Sequence, residues 1–248
     1  MKKLIKYSLL MVPVLLSGCE KDEGLSPPLN GKSVSVTVKI PHEIDALPLG
    51  VMYRSTKCLK KRSNANGESY EVPGFHFTEI NLKQVENSDL FESQVPFYGG
   101  GNCQWKLSNV TIGIKYKVPS DFSVDIKENY TNEVIFVFDK NEAQRTNWNY
   151  ENVSGDKKII RDYYPMVTTR YINGFSRELS IYGLDNKFTY RMYNTNKIIY
   201  EANVYSNKLV FREVPKKQGE NFSIKYPDGS IVVDDSIFPD LKKLQSTH

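Results

Sequence analysis

The sequence predicts an all-β protein, an antiparallel sandwich or barrel-like fold, with two β lobes as a finer expectation. Many short runs of alternating or continuous apolar residues are separated by turn residues, which is typical of such folds. The chain contains 16 tyrosines and 12 phenylalanines, and aromatic side chains suit pleated, half-buried surfaces. Helical periodicity is weak throughout.

The predicted elements follow from these runs in chain order. Val34, Val36 and Val38 alternate with polar residues, which predicts a half-buried strand that ends at Pro41. The apolar run 133–139 predicts a central strand. Pro227-Asp228-Gly229 predicts a hairpin turn within 223–233. Further strands are predicted at 51–58, 70–80, 159–171, 177–183, 187–193, 197–205 and 207–214. A short helix is predicted at 81–91 and a terminal helical turn at 238–244.

The segment around Cys103 is the densest local pattern. The backbone amides of Gly99-Gly100-Gly101 could approach an anion, as those of a phosphate-binding loop do. A phosphate-binding loop, however, leads into a helix, whereas these glycines lead into a predicted strand. We therefore predict a flexible or left-handed lead-in that places Cys103. Up to Leu107 the apolar residues occupy odd-numbered positions, and from Val110 they occupy even-numbered ones, which predicts a β-bulge near Ser108 and Asn109. We also expect Trp105 to be buried against a disulfide.

The amino terminus carries an export signal. Three lysines precede an apolar run over residues 9–16, which is too short to span a bilayer, and Leu16-Ser17-Gly18-Cys19 follows. This pattern resembles the lipobox of bacterial lipoproteins. The resemblance implies acylation of the Cys19 thiol and cleavage before Cys19. The alternative is a plain signal peptide that contains a cysteine.

The residue after Cys19 bears on location. Enteric lipoproteins retained at the inner membrane usually have Asp at this position, and here it is Glu20. By that resemblance we expect a lipid anchor in the outer membrane, on its periplasmic face. The polar residues 20–32 predict a flexible tether. The expected organisation is therefore a signal peptide at 1–18, a lipidated tether at 19–32, a first β lobe with a disulfide at 33–145 and a second β lobe at 146–248.

Charge and cysteine content restrict the partners. The formal net charge is +4, and three of these charges are signal-peptide lysines, so the mature domain is close to neutral. A near-neutral domain argues against nucleic acid as a partner. Cys58 and Cys103 remain after Cys19 is lipidated, and in an oxidising compartment we expect them to form a disulfide. No histidine lies at ligand spacing, so no metal or cofactor is predicted.

The block Gly-Gly-Gly-x-Cys-x-Trp-Lys-Leu-Ser-Asn, at residues 99–109, carries a family resemblance. Together with the lipobox, it resembles enterobacterial envelope lipoproteins of type VI secretion loci, which act as immunity proteins against lipase effectors. The resemblance covers about a tenth of the chain. It implies a protein partner, a toxic effector, and no catalytic residues.

The remaining motifs also favour a binding protein over an enzyme. The nearest approach to a nucleophile elbow, around Ser176, lacks the second glycine. Aromatics in polar or interrupted segments are candidate partner-binding anchors, unless they pack between the lobes: Trp148, Tyr150, Tyr163 and Tyr164. The leading hypothesis is a toxin-neutralising lipoprotein. The alternatives are a structural or assembly lipoprotein of a secretion or appendage complex and, third, a periplasmic hydrolase.

Overall fold

The computed structural model of the chain describes residues 23–117, 126–128, 132–140, 150–171, 174–183 and 187–246. Within these residues almost all regular structure is β. The elements are β1 (Ser33–Lys39), β2 (Ile44–Ala46), β3 (Leu49–Ser63), β4 (Ser69–Ile80), β5 (Lys83–Gln84), β6 (Leu90–Pro96), β7 (Tyr98–Gly100), β8 (Trp105–Tyr116), β9 (Ile126–Glu128), β10 (Asn132–Val137), β11 (Tyr150–Ser154), β12 (Lys157–Arg170), β13 (Ser176–Tyr182), β14 (Lys187–Tyr193), β15 (Lys197–Val204), β16 (Val210–Glu213), β17 (Phe222–Lys225), β18 (Ile231–Asp234) and α1 (Leu241–Ser246).

The strands form two sheets that pack against each other, which confirms the all-β sandwich. In the described part of the chain, one sheet has ten strands, in the order β18-β17-β16-β12-β15-β1-β6-β5, with β13 and β9 attached beside β12. The other has eight, in the order β11-β14-β10-β8-β3-β4, with β2 and β7 attached to β8.

Both sheets are mixed rather than purely antiparallel. Neighbours joined by short turns, such as β3 and β4, are antiparallel, as hairpin connections require. The parallel pairs join strands that are not consecutive in sequence; two examples are β1 with β15 and β10 with β14. Each sheet therefore combines strands from both sides of the expected lobe boundary at residues 145 and 146, which lies outside the described residues.

The main core lies between the two sheets. The inward residues of β1, Val34, Val36 and Val38, are fully buried, as their alternation predicted. Val110 and Ile112 of β8 and Phe136 of β10 meet them from the opposite sheet in one continuous cluster. Burial of this apolar area is the main favourable term in folding.

From Tyr163 to Thr168, β12 is buried on both faces, and this corrects the expectation that Tyr163 and Tyr164 are exposed anchors. Each side chain is only 2% exposed. Tyr163 faces the main core, and its hydroxyl lies 2.6 Å from that of Tyr200. Tyr164 points to the other face, into a second cluster that includes Leu244 of α1. Both tyrosines are structural because successive strand residues alternate between two buried faces.

The helix predictions had mixed outcomes. The helix predicted at 81–91 is wrong: β5, a turn and the start of β6 occupy this segment. Glu86 and Asn87 have φ angles of 42° and 56° in that turn, which no right-handed helix permits. A terminal helical turn was predicted at 238–244, and the structure has the short helix α1 there, shifted to Leu241–Ser246. Among the described residues, no helix is long and apolar enough to cross a membrane.

Buried tyrosines predict alkaline lability. The hydroxyl of Tyr53, a side chain 2% exposed, donates to the Pro96 carbonyl at 2.9 Å, and burial raises the pKa of Tyr53 to about 12. A raised folded-state pKa means that the stabilisation is complete below the unfolded value of about 10 and is lost as the pH rises towards 12. We expect the urea midpoint to fall between about pH 9 and about pH 11.5.

Two variants isolate the contribution of Tyr53. Tyr53→Phe should be less stable than wild type near neutral pH, because it loses one hydrogen bond, but its midpoint should fall less on alkalinisation. Tyr70→Phe, at a side chain 49% exposed, is the control and should follow wild type. Equal losses in wild type and Tyr53→Phe would contradict the assignment.

Candidate functional site

The predicted disulfide is present and ties β3 to the loop before β8. Cys58 and Cys103 are 45 residues apart in sequence, and their Cα atoms lie 5.3 Å apart. The chain-entropy model assigns roughly 4 kcal/mol of stabilisation to closing a loop of this length. The Ser55 hydroxyl supports the joint, since it donates to the Cys103 carbonyl at 2.5 Å and accepts from the Cys58 amide at 3.0 Å. The register of β3 against β4 shifts between Ser55 and Leu59.

The predicted left-handed lead-in to Cys103 is confirmed. Gly100 and Gly101 have φ angles of +61° and +68°. Their bare backbones are also a docking surface for the chain upstream of the sandwich, because a Cβ on Gly100 would overlap the Ser26 carbonyl. Glycine is therefore required here both by conformation and by close approach.

Residues 23–27, which we call the strap, lie against this glycine loop. The Ser26 amide donates to the Gly99 carbonyl at 2.7 Å, and the Trp105 indole nitrogen donates to the Glu23 carbonyl at 2.9 Å. Leu25 packs on the main core. The expected flexible tether at 20–32 is therefore wrong for the strap, because these contacts hold that segment to the domain.

A groove crosses the face of the eight-stranded sheet that points away from the core. Its volume is about 500 Å³. Along β3, the residues on this face are Gly50, Met52 and Arg54, which alternate with the buried Leu49, Val51 and Tyr53. The walls and floor are completed by Leu47, Pro48, Phe77, Glu79, Asn109, Thr111, Gly113, Glu133 and Ile135.

The groove is open at Gly50, because this residue of β3 faces the groove and has no side chain to fill it. Gly50 lies opposite Glu79 on β4 and Thr111 on β8. A Cβ at Gly50 would come within 3.3 Å of the Phe77 ring. Phe77 itself is 56% exposed, whereas Ile135 in the floor is 5% exposed. A large aromatic side chain beside a concave apolar floor is a common arrangement for an anchor pocket in a protein interface.

Charged groups also line the groove. Arg54 Nε donates to the Ser108 hydroxyl at 3.1 Å and lies 3.9 Å from an Asp139 carboxylate oxygen. Glu79 lies opposite Gly50 on β4, and Glu133 lies opposite Gly113 on β8. A surface that combines apolar and polar side chains is typical of a protein–protein interface.

A second groove, of about 530 Å³, lies on the ten-stranded sheet. Phe175 lines it and is 61% exposed, but Arg177, Glu213 and Lys225 also line it. Three charged side chains line this groove, and three also line the groove at Gly50, so the two grooves are similar in polarity. It provides a matched comparison surface on the same molecule.

The sequence-predicted site residues have separate outcomes. Cys19 and Trp148 lie outside the described residues. Tyr150 is 44% exposed on β11, where the Arg191 guanidinium lies 4.4 Å from its ring centre. Tyr163 and Tyr164 are buried, as described above. The structure therefore does not join the three described aromatics, Tyr150, Tyr163 and Tyr164, into one binding surface.

Sequence reasoning missed the groove residues. Phe75, His76 and Phe77 lie in the strand predicted at 70–80, and His76 lies against Trp105, with ring centres 5.6 Å apart. The exposure of Phe77 could not have been recognised from the sequence, because the apolar residues of an alternating strand are normally the inward ones. The role of Gly50 could not either, because it depends on which residues lie across from it in neighbouring strands.

Comparisons with protein-family models, with curated proteins and with solved structures find no match to this chain.

The strap predicts a position-specific effect of alanine at Gly100. Gly100→Ala should lose stability through left-handed strain, about 1–2 kcal/mol, and through displacement of the strap. Gly155→Ala is the matched control, since Gly155 has φ +85° but no atom within 4 Å of its Cβ position. Hydrogen–deuterium exchange over residues 23–32 should accelerate only in Gly100→Ala. Unchanged strap exchange in that variant would contradict the docking.

Proposed function

We propose that this chain is an envelope lipoprotein that binds and neutralises a secreted toxic protein, an immunity protein of the type VI class directed against a lipase effector. The observation that carries the binding role is the apolar groove at Gly50, with Phe77 exposed at its wall. The lipobox supports a periplasmic, membrane-anchored location. The block at residues 99–109 supports a toxic effector as the partner.

The anchor places the protein where such a partner acts. Acylation of Cys19 with two or more chains would hold the domain stably at the membrane, on the periplasmic face of the outer membrane. A lipase effector attacks that same surface. Confining the inhibitor there raises its effective concentration towards the toxin without any additional contact.

The groove suits capture of a protein side chain or loop. An apolar side chain of the toxin inserted between Phe77 and the floor at Ile135 would be desolvated, and its neighbours would meet the charged groups at Arg54 and Glu79. Central anchors of this kind commonly contribute 2 kcal/mol or more to an interface. Binding that occludes the active site is sufficient for neutralisation, so no catalytic group is needed in this chain.

Deletion of the gene should make cells sensitive to a sibling strain that carries the toxin, and re-expression should restore survival. Phe77→Ala should restore it poorly, because truncating an anchor of 2 kcal/mol weakens binding about thirtyfold. The measurement is competitive survival at matched protein levels.

Phe175→Ala, in the other groove, is the matched control and should protect as well as wild type. Normal survival of the deletion strain would overturn the immunity role and favour an assembly role. Loss of protection in Phe175→Ala but not in Phe77→Ala would move the interface to the ten-stranded sheet.

The anchor has its own test. Cys19→Ser should abolish incorporation of labelled palmitate, because only a thiol forms the thioether. An exported Cys19→Ser protein should still bind toxin in solution but protect less well, because it loses membrane confinement. Wild-type incorporation of palmitate by the variant would refute the lipobox assignment.

A further inference from the structure

The outer half of the β3–β4 hairpin projects beyond the disulfide. Residues 59–63 pair only with residues 69–73, whereas β3 pairs with β8 no further than Arg54. We call this two-stranded segment the ribbon; its five residue pairs extend about 16 Å. Its turn is well defined, since Asn64 Oδ1 accepts from the amides of Asn66 and Glu68 at 3.0 and 2.9 Å.

The ribbon separates its charges by face. Lys60 lies opposite Val72, and Arg62 lies opposite Tyr70, so one face carries two cations, an aromatic and an aliphatic residue. On the other face Lys61 lies opposite Glu71. The Lys60 ammonium lies 4.3 Å from the Phe75 ring centre, which keeps it over an aromatic surface.

The ribbon begins at the end of the sandwich where the strap begins. A Glu23 carboxylate oxygen and the sulfurs of Cys58 and Cys103 lie within 4.8 Å of one another, and the ribbon starts at the next residue, Leu59. Three residues stand between Glu23 and Cys19 in the sequence. An extended chain of that length spans at most about 14 Å.

We propose that the ribbon face formed by Lys60, Arg62 and Tyr70 binds the anionic lipid headgroups of the membrane that holds Cys19. This inference rests on the proposed lipid anchor. With the strap docked, the acyl chains keep this end of the sandwich, and therefore the ribbon, within reach of the bilayer surface. Basic side chains gain from the negative surface potential there, and tyrosine favours the headgroup region.

The ribbon would orient the domain. A lipid at Cys19 alone restrains distance, whereas a second contact through the ribbon also restrains rotation. Electrostatic attraction to the surface decays within a Debye length, about 10 Å at 0.1 M salt, so only cations at the anchored end contribute. Lys60 and Arg62 follow Cys58 by two and four residues, and the Cys58 sulfur lies beside the Glu23 carboxylate of the strap, so both cations belong to the anchored end.

The experiment uses the mature chain with Cys19→Ser, exported through an ordinary secretory signal so that the disulfide forms and no lipid obscures the headgroup contact. Binding is measured by co-sedimentation with vesicles of phosphatidylcholine alone or mixed with phosphatidylglycerol. We expect binding only to the mixed vesicles at low salt, and loss of binding at high salt. Each cation held at the surface strengthens binding about fivefold.

The double variant Lys60→Gln, Arg62→Gln should therefore bind the mixed vesicles about thirtyfold more weakly. Lys216→Gln, Lys217→Gln removes the same charge from the exposed β16–β17 turn and should bind as wild type does. The single variant Arg62→Gln should lose about fivefold and serves if the double variant misfolds.

Absence of wild-type binding to mixed vesicles at low salt would overturn the proposal. The proposal would also be overturned if the ribbon double variant bound mixed vesicles as tightly as wild type. An equal loss of binding in the Lys216 and Lys217 control would overturn it too, because binding would then depend on net charge alone. Unchanged vesicle binding with lost protection from toxin would assign the ribbon to an acidic protein surface instead. Palmitate labelling of the natural protein is scored separately, so failure of the anchor is distinguishable from failure of the ribbon contact.

Discussion

The register of β3 against β8 is the constraint on which the rest of the structure depends. β8 carries one extra residue, Ser108, relative to β3, so its inward phase changes at that point. Trp105 before the bulge and Val110 after it are consequently both buried. The same register sets Gly50 opposite Thr111 and so opens the groove. The Ser108 hydroxyl accepts a hydrogen bond from Arg54, which supports the bulge from the groove side.

The strap, the disulfide and the ribbon meet at one end of this strand pair. The Trp105 indole of β8 donates a hydrogen bond to the Glu23 carbonyl, and the disulfide joins Cys103 to Cys58 of β3. The strap is therefore connected to β8 directly and to β3 through the disulfide. A lipid attached upstream would therefore keep this end of the domain near the membrane, and the proposed ribbon contact would add a restraint on orientation. With both contacts made, the groove on β3 and β8 would be presented at a set angle to the membrane.

Local pattern was sufficient for much of the fold. The alternation of Val34, Val36 and Val38 predicted β1, and the phase change after Leu107 predicted the bulge, because side-chain periodicity reports directly which face of a strand is buried. The disulfide was predicted because two cysteines remain after Cys19 and because the expected compartment is oxidising. The glycine lead-in followed from the left-handed conformation that Gly100 adopts without strain. These are all properties of short segments.

The sequence by itself determined most of the strands, the bulge and the covalent bond of this protein. Only the tertiary structure decided which strands became neighbours, and it placed β15 beside β1 across most of the chain. It also covered both faces of the second half of β12, which buried Tyr164, and docked the strap on Gly100. Strand periodicity specifies an inward face but no partner for it. The groove at Gly50, which depends on neighbouring strands, therefore emerges only after the long-range pairings are made.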